Sequence, residues 1–146
     1  MTGRVPALLL VLALAACASP PVPAPEAEAP VETIAAGFRA GRDGLAYTMI
    51  YDLRTPFDAD TVAVAEFQNP VSGAPPLRAE QRVPAGERRI AIESPLMHEI
   101  GNHRDYTVIL TLTQGGTPVA VHRETARFDV DEASVPMFIR RGITVR

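Results

Sequence analysis

From Val31 onward, the apolar residues of this chain tend to recur at every second position. The clearest run has Tyr106, Val108, Leu110 and Leu112 alternating with Thr107, Ile109, Thr111 and Thr113. A period of two places alternate residues on opposite faces of a β-strand, so one face of this run is expected to be buried and the other to carry mostly hydroxyl groups. The alternation therefore predicts a mainly β fold for this part of the chain.

A second alternating run predicts a β-hairpin at the start of the domain. Its inward residues are expected to be Leu45, Tyr47, Met49, Tyr51 and Leu53. Asp43-Gly44 comes just before them and suits a tight turn, because glycine readily adopts positive φ. Residues 32–40 and 45–54 are therefore expected to pair. A short helix is the alternative for the first arm, since its apolar residues also fit helical spacing.

The remaining strands are expected between turn signals rich in proline and glycine. They are placed at residues 61–68, 77–83, 88–93 and 106–113, with a last strand beginning near Val119. In that last strand, the apolar residues are odd-numbered up to Val121 and even-numbered from Ala126. An alternation cannot change parity without an inserted residue, so a bulge or break is expected near residues 122–124.

About seven strands at this spacing favour a sandwich or a barrel, and one segment narrows the choice. Asp105-Tyr106-Thr107-Val108-Ile109-Leu110 resembles the start of strand F in immunoglobulin and fibronectin type III domains, with its corner tyrosine. The resemblance implies an all-β, antiparallel sandwich in which the tyrosine hydroxyl bonds back to the loop at residues 100–103. The cysteine pair and the strand C tryptophan of antibody domains are absent, and the architecture alone identifies no function.

The front of the chain is typical of a protein sent to the cell envelope. Residues 1–16 have one arginine followed by an apolar run that is too short for a membrane-spanning helix, as in a secretory signal peptide. The run ends in Leu14-Ala15-Ala16-Cys17, which resembles the lipobox of bacterial lipoproteins. That resemblance implies cleavage before Cys17 and a lipid anchor on its sulfur. Ala18 in place of aspartate favours the outer membrane over the inner membrane, with the domain facing the periplasm.

The stretch from Cys17 to Val31 is expected to be a tether. It is rich in Pro, Ala and Glu and contains few large apolar residues that would form a core. Proline favours extended polyproline II at about 3.1 Å per residue, so the tether would span about 40 Å. The predicted organisation is therefore a signal peptide at 1–16, an anchor and tether at 17–31, and a β-sandwich domain at 32–146.

Charge and composition exclude several classes of function. The net charge of −3 has both signs interspersed, which provides no attraction to nucleic acid. The chain contains a single cysteine, so it cannot form an intramolecular disulfide or a cysteine cluster for metal.

Candidate catalytic and metal-binding residues are few. His98, Glu99 and His103 would form a metal site only if the loop between them folded back, and His122 stands apart. The clusters Asp58/Asp60 and Asp129/Asp131/Glu132 lack the pattern of a dedicated calcium loop. Ser72 and Ser94 do not lie in a nucleophile motif. The expectation is a protein with no catalytic residues, no metal and no cofactor.

Residues 133–146 form an apolar and basic end to the chain. They are interpreted as an eighth strand that covers a sheet edge, or else as a tail that adds to a partner's sheet or enters a partner's groove. The sequence alone does not decide between these.

Taken together, these features predict a lipid-anchored, non-enzymatic envelope protein that binds another envelope protein. The alternative is a periplasmic metal-dependent or ligand-binding protein, or a hydrolase, that uses His98, Glu99 and His103. A passive structural spacer is a third interpretation.

Overall fold

The computed structural model describes residues 30–146, and the expected signal peptide, Cys17 and most of the tether lie outside the described residues. The strands are β1 (Val31–Ala40), β2 (Leu45–Leu53), β3 (Thr61–Phe67), β4 (Leu77–Val83), β5 (Arg89–Glu93), β6 (Glu99–Ile100), β7 (Arg104–Gln114), β8 (Thr117–Phe128) and β9 (Thr144–Val145). A 3-10 turn at Glu132–Ser134 and the helix α1 (Val135–Arg140) lie between β8 and β9. None of the helical structure in residues 30–146 has the length and apolar character needed to cross a membrane.

The strands form two antiparallel sheets that pack face to face. One sheet has the order β1-β2-β5, and the other has the order β4-β3-β7-β8. The fourth strand pairs with the third, whereas in constant-type immunoglobulin domains the corresponding strand joins the first sheet. The expected antiparallel β-sandwich is confirmed.

The first two strands form the expected hairpin, and the helical alternative for residues 32–40 is wrong. Nine residues of β1 pair with β2 in antiparallel register, from Val31 opposite Leu53 to Ala40 opposite Leu45. The turn is closed by the Gly41 N–H donating to the Gly44 carbonyl at 2.8 Å. Gly44 has φ +151°, and a Cβ there would lie 3.0 Å from the Met97 carbonyl oxygen, so the position requires glycine.

The core consists of the alternate residues that the sequence pattern selects. Both alternating runs, in β2 and in β7, are buried at the expected positions. An aromatic cluster lies at one end, with the ring of Phe38 centred 4.5 Å from Tyr47 and 5.1 Å from Phe128. All three tyrosines of the chain lie in this core.

The corner tyrosine makes the expected contact with the loop before β7. The Tyr106 hydroxyl accepts a hydrogen bond from the Gly101 N–H at 2.7 Å and donates one to the Gly101 carbonyl at 3.1 Å. One side chain therefore satisfies both polar groups of one loop residue, which holds the loop at residues 100–103 against the sheet.

The expected bulge near residues 122–124 is wrong. Ala120 pairs with Leu112 and Pro118 pairs with Thr113, so the extra residue is Val119, close to the β7–β8 turn. From Ala120 to Phe128 the even-numbered residues face inward throughout, and Val121 is 65% exposed on the outer face. No change of parity occurs, because the two valines of this strand are not core residues.

The C-terminal segment is not the expected edge strand over most of its length. Pro136 lies in the first turn of α1, where its missing N–H costs nothing. Phe138 on this helix is buried against Phe128, with ring centroids 5.8 Å apart. Only Thr144–Val145 form a strand, and they pair in parallel with Glu99–Ile100 rather than with either main sheet.

Antiparallel strands collect their connections at two ends of the sandwich. The N-terminal pole carries Pro30 and the connections at 54–60, 84–88 and 115–116. The C-terminal pole carries the connections at 41–44, 68–76 and 94–103, together with residues 129–146. Pro30 and the C-terminal pole therefore lie at opposite ends of the sandwich.

Candidate functional site

The residues considered for a metal site do not come together. Glu99 pairs with Arg146, with 3.1 Å between Oε1 and a guanidinium nitrogen, while the His103 ring pairs with Asp129. His98 is exposed beside the turn that contains Gly44. Within residues 30–146, no group of three or more His, Cys, Asp and Glu side chains is placed to hold a metal ion. His98, Glu99 and His103 therefore do not form one shared cluster within the described part of the chain.

The two carboxylate clusters are engaged in local structure. Asp60 accepts hydrogen bonds from the Arg82 side chain and from the Ala85 N–H, and these bonds lower the pKa of its carboxyl below the ordinary value. Asp131 accepts from the Ser134 N–H at 3.0 Å and so caps the 3-10 turn. These contacts of Asp60 and Asp131 stabilise chain reversals.

The third histidine, His122, occupies the seam between the two sheets. Its Nε2 lies 2.8 Å from the Thr33 hydroxyl, and its ring meets the ring of Tyr51 edge to face at 5.8 Å. Tyr51 is fully buried, and its hydroxyl has no hydrogen-bond partner among the described residues. Burial and then the Glu124 carboxylate raise the pKa of Tyr51 above its ordinary value.

A cavity of about 420 Å³ lies on the outer face of the four-stranded sheet, under the 68–76 loop. Its floor comes from β3, β7 and β8, and its wall comes from the loop. The lining residues are Glu66, Gln68, Asn69, Val71, Ser72, Gly73, Ala74, Pro76, Thr107, Ile109 and Arg123. We call this cavity the outer groove.

The 68–76 loop is held rigidly by its own side chains. Gln68 exchanges hydrogen bonds with the backbone of Thr107, at 2.8 Å and 2.9 Å. Asn69 accepts from the Val71 N–H at 3.0 Å and donates to the Pro75 carbonyl at 2.9 Å. Gly73 has φ +78°, which closes the turn within the loop. The wall of the outer groove is therefore formed without a ligand.

Charged and apolar residues alternate across the floor of the outer groove. Ile109 pairs with Glu66 on one side and with Arg123 on the other, so the two charges flank an apolar side chain. Neither Glu66 nor Arg123 has an ion-pair partner among the described residues. Val121 extends the apolar surface along β8. Protein-binding surfaces likewise combine apolar residues with polar residues around them.

Two smaller cavities lie at the C-terminal pole and share the same loop. One, of about 340 Å³, is lined partly by Val71, Leu77, Leu96 and Met97. The other, of about 200 Å³, contains Arg104 and Arg146. Val71 and Leu96 are 45% and 49% exposed, so large apolar side chains face solvent at this pole. The 68–76 loop therefore borders three recesses.

The sequence does not mark the residues of these recesses as a site. In the sequence, Ser72 stands out only as a possible nucleophile. Ser94 is buried, and its hydroxyl accepts a hydrogen bond from the Tyr47 N–H at 3.0 Å, so this side chain satisfies a backbone group. Two closely spaced Pro-containing segments around 70–76 marked a turn. The length of that connection, together with its Asn and Gln, is the only signal that pointed to a structured loop.

Comparison with known proteins does not identify a family. No family model and none of the curated proteins searched matches the chain. The structure has a weak likeness to the crystal structure of the exo-chitosanase of Amycolatopsis orientalis, with a TM-score of 0.39 and 18% identity. The likeness covers 66% of this chain and only 12% of that enzyme.

Proposed function

We propose that this chain is a lipid-anchored, non-enzymatic protein of the bacterial cell envelope whose sandwich binds another envelope protein. The lipobox-like segment ending at Cys17 supports attachment to a membrane, in the outer membrane rather than the inner one. Two or three acyl chains hold a protein at a membrane for long periods, whereas one chain binds only marginally.

The observation that carries the binding proposal is the preformed surface around the 68–76 loop. It combines the outer groove, exposed apolar residues and two sheet residues, Glu66 and Arg123, that have no ion-pair partner within residues 30–146, beside a loop held by its own hydrogen bonds. A rigid surface loses little conformational entropy when a partner binds. Pro30 lies at the opposite pole, so this surface is at the end of the sandwich remote from the point where the proposed tether would join it.

The anchor is tested by changing the sulfur that would carry the lipid. Cys17→Ser should abolish lipid attachment and cleavage before residue 17, so the protein should keep residues 1–16. Fractionation of the native bacterium and mass measurement of the protein provide the readout. An unmodified thiol at Cys17 in the wild-type protein, with residues 1–16 still present, would overturn this part of the proposal.

The binding surface is tested by crosslinking in intact cells. Val121→p-benzoylphenylalanine places a photo-crosslinking side chain on the outer face beside the groove. Ala91→p-benzoylphenylalanine is the matched control, because Ala91 is exposed on the outer face of the other sheet. We expect a defined protein adduct from position 121 and none from position 91. Equal labelling from both positions, or no adduct from position 121, would refute binding at this face and favour a passive spacer.

A further inference from the structure

The smallest of the three recesses has the charge of an anion-binding site. Its lining residues are Pro70, Ser72, Glu99, Gly101, Arg104 and Arg146. Arg146 is paired with Glu99, whereas the Arg104 guanidinium has no hydrogen bond or ion pair among residues 30–146. The Ser72 hydroxyl is likewise without a hydrogen-bond partner in the described chain. Among the lining side chains, two arginines therefore stand against one carboxylate.

The position of Arg104 depends on the glycine beneath it. A Cβ on Gly101 would lie 2.7 Å from the Arg104 Cδ and 3.0 Å from the Tyr106 hydroxyl oxygen, so neither neighbour could stay where it is. The corner tyrosine fixes Gly101 through both of its backbone groups. The arginine side chain consequently lies against the Gly101 backbone, which the corner tyrosine holds, at the edge of the recess.

An apolar recess adjoins the charged one. The two share Pro70 and Glu99, and the apolar recess adds the side chains of Leu77, Leu96 and Met97. A ligand that spans both would need a negative group next to a large apolar group. A protein segment with an aspartate or glutamate beside an apolar residue has this chemistry.

We infer that the recess formed by Ser72, Arg104 and Arg146 binds a side-chain carboxylate of the partner protein, while the adjoining recess takes the apolar residue next to it. This inference rests on the proposed function and specifies the chemistry of the partner. A guanidinium is planar and presents paired N–H donors, which match the two oxygens of a carboxylate. The Ser72 hydroxyl supplies a further donor.

The experiment uses the full-length protein in intact cells. Val71→p-benzoylphenylalanine places the crosslinker in the apolar recess, next to Pro70, which lines both recesses. The yield of its adduct is measured in three backgrounds. These are Arg104→Ala, Arg104→Lys and the control Arg89→Ala, which removes an exposed arginine near the N-terminal pole. We expect a loss of roughly tenfold for Arg104→Ala, since hydrogen bonds to charged groups contribute this much. Arg104→Lys should restore part of the yield, and Arg89→Ala should not change it.

The outcomes separate this inference from the proposed function. An adduct at position 71 that depends on Arg104 and maps to a segment containing Asp or Glu supports the inference. An adduct that is indifferent to Arg104, or one that contains no protein, overturns it. Adducts at position 121 but none at position 71 also overturn it while leaving the proposed function intact. An absence of adducts at both positions refutes both.

Discussion

The three buried tyrosines allow one chemical change to be compared in three environments. The Tyr106 hydroxyl makes two hydrogen bonds to Gly101, the Tyr47 hydroxyl donates one to the Gln68 carbonyl at 2.9 Å, and the Tyr51 hydroxyl makes none among the described residues. Tyr→Phe removes only the hydroxyl in each case. Any difference in stability between the three variants therefore reports on the surroundings of that group.

The expected magnitudes follow from the number of bonds lost. A typical hydrogen bond contributes about 1 kcal/mol net, so Tyr106→Phe should lower the free energy of unfolding by about 2 kcal/mol and Tyr47→Phe by about 1 kcal/mol. Tyr51→Phe should be neutral or stabilising by up to about 1 kcal/mol, because burying a hydroxyl without a partner is itself unfavourable. The small void left by one oxygen offsets part of that gain.

Urea unfolding of the purified protein measures these differences. The chain has no tryptophan, so far-ultraviolet circular dichroism is the suitable signal. With a slope of about 2 kcal/mol per molar urea, the midpoint of Tyr106→Phe should fall by about 1 M, while that of Tyr51→Phe should stay or rise. A fall for Tyr51→Phe as large as that for Tyr106→Phe would refute the assignment of hydroxyl partners.

Three further predictions concern the core, a turn and a surface carboxylate. Phe128→Ala should destabilise the protein by about 3–5 kcal/mol in the same urea assay, because Phe128 packs between Phe38 and Phe138. Gly44→Ala should cost more stability than Gly73→Ala, since a Cβ at residue 44 meets the Met97 carbonyl at 3.0 Å and one at residue 73 meets nothing within 4 Å; equal thermal midpoints would contradict this. Because the pKa of Asp60 is lower in the folded than in the unfolded state, its stabilising contribution is present above its ordinary value of 3.8 and is lost as pH falls through the folded pKa. Asp60→Asn should therefore lower the urea midpoint at pH 7, and the difference from wild type should disappear in acid.

The strands were predictable because their burial alternates with the pleat. In β2 and β7 one face packs against the opposite sheet, so apolar residues recur at every second position. The corner tyrosine was predictable for a similar reason, since its hydroxyl bonds to a loop only a few residues away in sequence. Local relations of this kind are visible in the sequence.

The position of the bulge and the C-terminal helix were not predictable from apolar residues alone. Val121 is β-branched and suits a strand whether or not it is buried, so its identity says little about which face it occupies. In the C-terminal segment, Phe138 is buried by contact with Phe128, and this tertiary contact favours a helix where the sequence suggested an edge strand.

The candidate site depends on contacts between distant parts of the chain. Ser72, Arg104 and Arg146 come from a loop, the start of a strand and the residue after β9. Each is unremarkable in sequence, and their proximity results from the sandwich topology and from the parallel pairing of β6 with β9. Conversely, His98, Glu99 and His103 are close in sequence, but Glu99 contacts Arg146 while His103 contacts Asp129.

The residues that hold the 68–76 loop in shape are different from those that face solvent, and this is useful for protein engineering. Its shape is maintained by Gln68, Asn69 and Gly73, while the side chains of Val71 and Ser72 make no hydrogen bonds within the described chain. Positions 71 and 72 can therefore be randomised in a display library without disturbing the backbone that carries them. The loop backbone would remain the same in all members of such a library, and selection would act on how the side chains at positions 71 and 72 bind the target.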